Sequence, residues 1–172
     1  LVGSEMCIRD RVATHGYSFA FGEMTLRRRI AGHYADYYGA AADPAKIAIT
    51  PGSSLGFALA FLAAFDHGDR IAVTTPGYPA YRNLMLAMGL TPVQMPARAA
   101  EGWVLSLEAL EASKEPLPDG ILIASPANPT GVVMSDEEVK AICEWCHRKG
   151  VRLIMDEIYH GLTFEGTPTT AL

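Results

Sequence analysis

Apolar and polar positions along the chain switch repeatedly between two periods. From Gly22 onward, Leu26, Ile30, His33, Tyr34, Tyr37 and Tyr38 recur near every 3.6 residues, which predicts a helix, and Gly39 can take the left-handed conformation that ends one. Lys46 to Thr50 reads as a strand, broken by Pro51-Gly52. Ser53 or Ser54 is placed to cap the next helix, which runs to about Phe65 and stops before His67-Gly68-Asp69. Arg70 to Thr75 is the next strand. The same grammar then repeats: a Pro76-Gly77 turn, a helix from Pro79 to Met88, a short strand from Pro92 to Met95 and a helix from Ser106 to about Ser113. A strand from Ile121 to Ala124, a helix from Ser135 to Arg148 and a strand from Val151 to Met155 follow.

Strands alternating with helices imply an α/β fold with a mostly parallel sheet covered on both faces, a three-layer α/β/α arrangement. Gly120 to Ala124 and Val151 to Asp156 are nearly continuous apolar runs, as central strands of such a sheet should be. Residues 1–11 show neither periodicity nor capping logic and read as a foreign leader, with residues 12–172 forming one incomplete domain. The chain stops just after a strand and a polar turn, so truncation at that end is expected too.

Composition narrows the function classes. The 172 residues are 49% hydrophobic and 19% charged, enough for one real core. A net charge of −5 with 14 Lys and Arg argues against general affinity for nucleic acid or acidic membrane, both of which need clustered positive charge. The run Arg27-Arg28-Arg29 reads as a solvated helix face. The longest apolar run, Leu55 to Phe65, falls short of the roughly 20 residues needed to span a bilayer, and no basic stretch leads into an apolar one, so the expectation is a cytoplasmic protein. Three cysteines imply no disulfide framework.

Candidate chemistry gathers where strands end. In an open α/β sheet, polar residues at the carboxyl ends of neighbouring strands face the ligand crevice, so Asn128, Asp156 and Tyr159 are expected to look into one site. Asp156 closes an apolar strand, where a carboxylate costs energy unless it meets a cation or donors; a solvated strand end is the plain alternative. Asn128 lies between Ala127 and Pro129, in a loop whose prolines aim its amide. Tyr78 follows a strand and could stack on a flat ring or simply pack. Gly52, Ser53 and Ser54 join a strand to a helix start, whose unpaired N–H groups and dipole suit a phosphate as well as they suit an ordinary capped helix. The same residues spell G-x-S-x-G, the nucleophile elbow of serine hydrolases, but the late acid and histidine, Asp156 and His160, are too local to form that triad's arm. Cys143-Glu144-Trp145-Cys146-His147 matches a haem-attachment pattern, yet it falls late in an amphipathic helix, where core packing is the better reading.

Taken in order, PGSSLGF, PGYPAY, SPANPTG and DEIYHGLTF resemble the large domain of class I/II aminotransferases, fold type I enzymes that use pyridoxal 5′-phosphate; the resemblance covers about His15 to Leu172. It implies that Asp156 pairs with the pyridine nitrogen, that Asn128 and Tyr159 bond the ring's 3′ oxygen, that Tyr78 stacks on the ring and that Gly52, Ser53 and Ser54 cradle the phosphate. Tyr17 resembles a tyrosine that reaches the neighbouring subunit's phosphate, which implies a homodimer acting on amino acid and 2-oxo acid substrates. The family's Schiff-base lysine belongs downstream of DEIY, whereas Lys46, Lys114, Lys140 and Lys149 all precede it, so these residues by themselves are expected to be inactive. Two other readings stand beside this one. One is a serine hydrolase with Ser54 as nucleophile; the other is an aminotransferase-like ligand domain of a transcription regulator.

Overall fold

The structure, a computed structural model, describes residues 17–99, 102–112, 116–164, 166 and 169–172. The chain divides into two compact units, Leu1–Thr50 and Pro51–Leu172. The expected leader, residues 1–11, lies outside the described residues.

In the first unit α1 (Met24–Tyr38) ends at Gly39, whose φ of 68° places it in the left-handed region, with its N–H returned to Ala35. The basic run is not all solvated. Arg28 and Arg29 are exposed, but Arg27 is buried, donating from Nη2 to the Ala45 carbonyl at 2.9 Å with its guanidinium 5.7 Å from the Phe21 ring. Three consecutive helical positions sweep about 200° of the circumference, so one of them reaches the inner face. The strand expected over Lys46–Thr50 does not form: Pro44–Lys46 is a 3₁₀ turn capped by Asp43, and residues 47–50 have no ladder. Ile49 donates only to the Phe21 carbonyl at 3.1 Å. An apolar run becomes a strand by pairing, and no neighbouring strand among the described residues pairs with this one.

The second unit is a parallel sheet with helices on both faces. Its elements are α2 (Ser53–Ala64), β1 (Arg70–Thr75), α3 (Pro79–Ala87), β2 (Thr91–Pro96), α4 (Leu107–Ala112), β3 (Gly120–Ala124), α5 (Asp136–Lys149) and β4 (Arg152–Asp156). The strands lie in the order β2-β1-β3-β4, all parallel. β2 and β4 are the edges of the described sheet, so of the two apolar runs expected to be central only Gly120–Ala124 is. Pro92 and Pro96 sit on β2, where a missing N–H costs least. Alternate residues feed opposite cores. Ala72, Ile121 and Ile123 meet Val139, Ile142, Trp145 and Cys146 of α5, while Ile71, Val73 and Leu122 meet Phe57 and Phe61 of α2 and Tyr81 and Met85 of α3. This is the three-layer arrangement the alternation of elements predicts.

Local chemistry fixes the helices that aim the loops. Ser135 caps α5 in a reciprocal pair with Glu138, acids fill its first turn and bases its last, and Gly150 closes it at φ 69°. For α2 the expected serine cap is replaced: Gly52, at φ 88°, is the N-cap with no side-chain bond, and Ser53 and Ser54 are the first helical residues.

Candidate functional site

The buried charged group of the second unit, among the described residues, is the Asp156 carboxylate at the end of β4, 8% exposed. Its Oδ1 accepts from the Ile158 N–H at 3.0 Å, and its Oδ2 accepts a short hydrogen bond from the Tyr81 hydroxyl. Tyr81 stands in the first turn of α3, a helix started by Pro79, whose fixed φ suits the first helical position. Burial, reinforced by the bond to Asp156 and its charge, pushes the Tyr81 hydroxyl far above the usual tyrosine range, so it stays a donor. Its ring packs edge-on against Phe57 at 5.1 Å and Tyr78 at 5.4 Å. A buried carboxylate with two donors is a different object from the solvated strand end weighed above.

One strand over, the chain leaving β3 is held from below. Ser125 donates its N–H to the Asp156 carbonyl at 3.1 Å, extending the ladder by one residue, and its buried hydroxyl accepts from the Met134 N–H at 2.9 Å. Ala127 bonds to Val132 and Gly131 to Ala127, which closes a tight turn around Asn128 and Pro129. The turn forms one side of a cavity of about 580 Å³; Tyr159, Leu162, Thr163 and Phe164, beyond β4, form the other. Asn128 and Tyr159 therefore line one cavity. Asp156 does not line this cavity but lies buried beside it, connected through Tyr81 to a second cavity of about 220 Å³ that Tyr78 also lines.

The amino end of α2 belongs to the same edge of the sheet. Phe57, one turn in, touches Tyr81, whereas Phe65, just past the helix, packs on Gly120 at the start of β3, where an added Cβ would fall 2.4 Å from the ring. The helix thus runs from the carboxyl edge to the amino edge, and Ser53 and Ser54 stand at the former. Their N–H groups begin a helix and have no intrahelical acceptor, and Gly52 leaves open space where a Cβ would stand.

Other sequence candidates lie elsewhere or change character. Tyr17 is in the first unit and fully exposed. Lys149 ends α5 next to the amino edge of β4, opposite the carboxylate, and Lys140 is exposed on the same helix; Lys114 lies outside the described residues. His160 turns to Glu157, with Nδ1 3.6 Å from Oε2, rather than to Asp156 as a hydrolase arm would require. Cys146 packs in the core, where burial pushes its thiol up to about 11, and Cys143 is raised by the same cause; both are poor thiolates, as the packing reading expected. The functional side chain that sequence reasoning missed is Tyr81. Its signal was available, since Tyr78 and Tyr81 are three residues apart at a helix start and so share a face.

The sequence profile described as aminotransferase class I and II matches residues 4–171. The chain belongs to this family. It is 47% identical over 156 residues to the valine–pyruvate aminotransferase of Mycobacterium tuberculosis, covering 91% of this chain and 40% of that relative. It is 33% identical to a probable aspartate/prephenate aminotransferase of Aquifex aeolicus, over 90% of this chain and again 40% of the relative. In three dimensions it matches the crystal structure of an aminotransferase from M. tuberculosis with a TM-score of 0.90 at 43% identity, covering 99% of this chain and 46% of that one. The chain thus spans about 40% of the length of the relatives it matches. Members of this family depend on pyridoxal 5′-phosphate, and the residues present suit that group. A buried carboxylate fits a ring cation, a tyrosine pair supplies aromatic surface and a helix start whose first N–H groups lack intrahelical acceptors fits a phosphate.

Proposed function

We propose that these residues are the cofactor-binding portion of an aminotransferase that moves an amino group from an amino acid to a 2-oxo acid. The observation that carries this reading is the buried Asp156 carboxylate, held by Tyr81 and the Ile158 N–H at the same sheet edge as the Gly52–Ser54 helix start. When bound, pyridoxal 5′-phosphate supplies a sink for the electrons released at the substrate's α carbon. Asp156 holds a proton on the ring nitrogen, and Tyr81 holds Asp156. Asn128 and Tyr159 donate to the ring's 3′ oxygen, Tyr78 stacks on the ring, and Gly52, Ser53 and Ser54 bind the phosphate. Tyr17 reaches the phosphate of a second copy, which makes the working unit a homodimer.

The reactive lysine is not among these roles. All four lysines precede Asp156 in sequence, and the resemblance expects the reactive one after it, so these residues bind and tune the cofactor without completing the transfer. In a full-length relative, replacing the aspartate that matches Asp156 by alanine should remove most of the turnover, because an unprotonated ring is a poor electron sink. Undiminished turnover in that variant refutes the role given to Asp156.

A further inference from the structure

Glu157 has no part in the reading above, yet it is the most heavily bonded acid beside the larger cavity. Its side chain is 14% exposed, and its carboxylate accepts from the Thr170 hydroxyl at 2.9 and 3.1 Å and from the Ala171 N–H at 2.9 Å. His160 Nδ1 stands 3.6 Å away on the other side. The backbone on this side is a turn, with the His160 N–H bonded to the Glu157 carbonyl and the Leu162 N–H to the Tyr159 carbonyl. Ala171 packs against the α5 core. One carboxylate therefore fastens the chain at residues 170–171 to the turn that presents Tyr159. Between these fastened points run Leu162, Thr163 and Phe164, which line the cavity. Leu162 and Phe164 are themselves exposed, so packing on their own side chains does not hold them. Withdrawing a carboxylate from water is costly unless hydrogen bonds offset it, and the bonds that do so here join the two ends of the segment that carries the cavity wall.

We propose that Glu157 is a positioning residue for the Asn128–Tyr159 cavity: by clasping Thr170 and Ala171 it sets the turn carrying Tyr159 and the wall formed by residues 162–164. The inference rests on the cofactor reading only for what the cavity holds; the clasp is tested separately. Amide hydrogen exchange is compared in this chain and in its Glu157→Ala, Glu157→Gln and Thr170→Val variants. Loss of charge-assisted bonds should speed exchange over residues 158–164 about tenfold in Glu157→Ala while residues 70–75 and 120–124 stay unchanged. Glu157→Gln keeps an oxygen for the Ala171 N–H and should be partly rescued. Thr170→Val removes a single hydroxyl and gives a second reading should Glu157→Ala fold poorly. Equal exchange over residues 158–164 in all four proteins overturns the proposal, as does acceleration spread equally into residues 70–75 and 120–124. Titration with pyridoxal 5′-phosphate should show affinity falling in the same order as exchange rises. A wild-type chain that binds none counts against the cofactor reading and leaves the clasp to be decided by exchange.

Discussion

Tyr81→Phe removes one oxygen from the centre of the site and leaves nearly everything else in place. The ring keeps its edge contacts with Phe57 and Tyr78, so no cavity opens larger than a hydroxyl. What changes is Asp156: its Oδ2 loses the hydroxyl donor, and the carboxylate stays buried with the Ile158 N–H on Oδ1. Hydrogen bonds to charged groups are worth about 1.5–3 kcal/mol net, and a buried acceptor left short of a donor sits toward the upper end. For a chain of this size that corresponds to a fall in melting temperature of about 3–12 °C. Urea denaturation of wild type, Tyr81→Phe, Asp156→Asn and the double variant closes a thermodynamic cycle. The coupling should be positive and at least about 1 kcal/mol, since the two groups touch. Additive single effects, or a Tyr81→Phe variant within about 0.5 kcal/mol of wild type, would show that the contact contributes nothing to the fold.

Two further outcomes follow from single positions. Because burial raises the folded-state pKa of Cys146 to about 11 from an ordinary 9.0, the thiol form stabilises the fold. That stability should be complete below about pH 9 and decline as pH rises toward 11, and a Cys146→Ala variant should show a shallower decline in pH-dependent melting, the remainder coming from the other raised groups, Cys143 and Tyr81. Glycine substitutions should rank by what their new Cβ meets. At Gly77 it would fall 2.5 Å from the Thr74 carbonyl oxygen, which is backbone and cannot yield. At Gly52 it meets open space and costs only the backbone strain of φ 88° and ψ 159°, a region almost confined to glycine, about 1–3 kcal/mol, so Gly77→Ala should melt lower than Gly52→Ala.

Period and punctuation made most of the second unit legible. The alternation of apolar runs with capped helices located every strand of the described sheet to within a residue or so, and β3 showed its central position through unbroken apolar sequence, whereas the similar run of β4 stands at an edge among the described residues. The same rule failed at Lys46–Thr50, because a strand needs a partner and local sequence is silent about partners. It failed differently at Arg27, where three adjacent charges suggest a solvated face although helical geometry turns one of them inward. Within the site, the edge on which Asn128, Asp156 and Tyr159 gather could be read from strand ends alone. That Asp156 is buried behind the cavity wall could not, because this depends on Tyr81 crossing 75 residues of sequence to meet it.

The parts of the site differ in how they are held before any ligand arrives, and the difference follows from charge. A carboxylate removed from water loses several kcal/mol of hydration, so Asp156 can be buried only with donors already in place, and Tyr81 and the Ile158 N–H meet that need within the chain. Neutral groups carry no such demand. Tyr78 is exposed, Asn128 and Tyr159 face an open cavity, and Ser53 and Ser54 end in solvent. On the reading proposed above, a bound ring would therefore meet its charged partner at a point fixed by the buried core and its neutral partners at exposed helix starts and turns. This ordering explains why the loop beyond β4 carries a second, half-buried acid: with Tyr159 on an exposed turn, Glu157 supplies through Thr170 and Ala171 the restraint that the core supplies to Asp156.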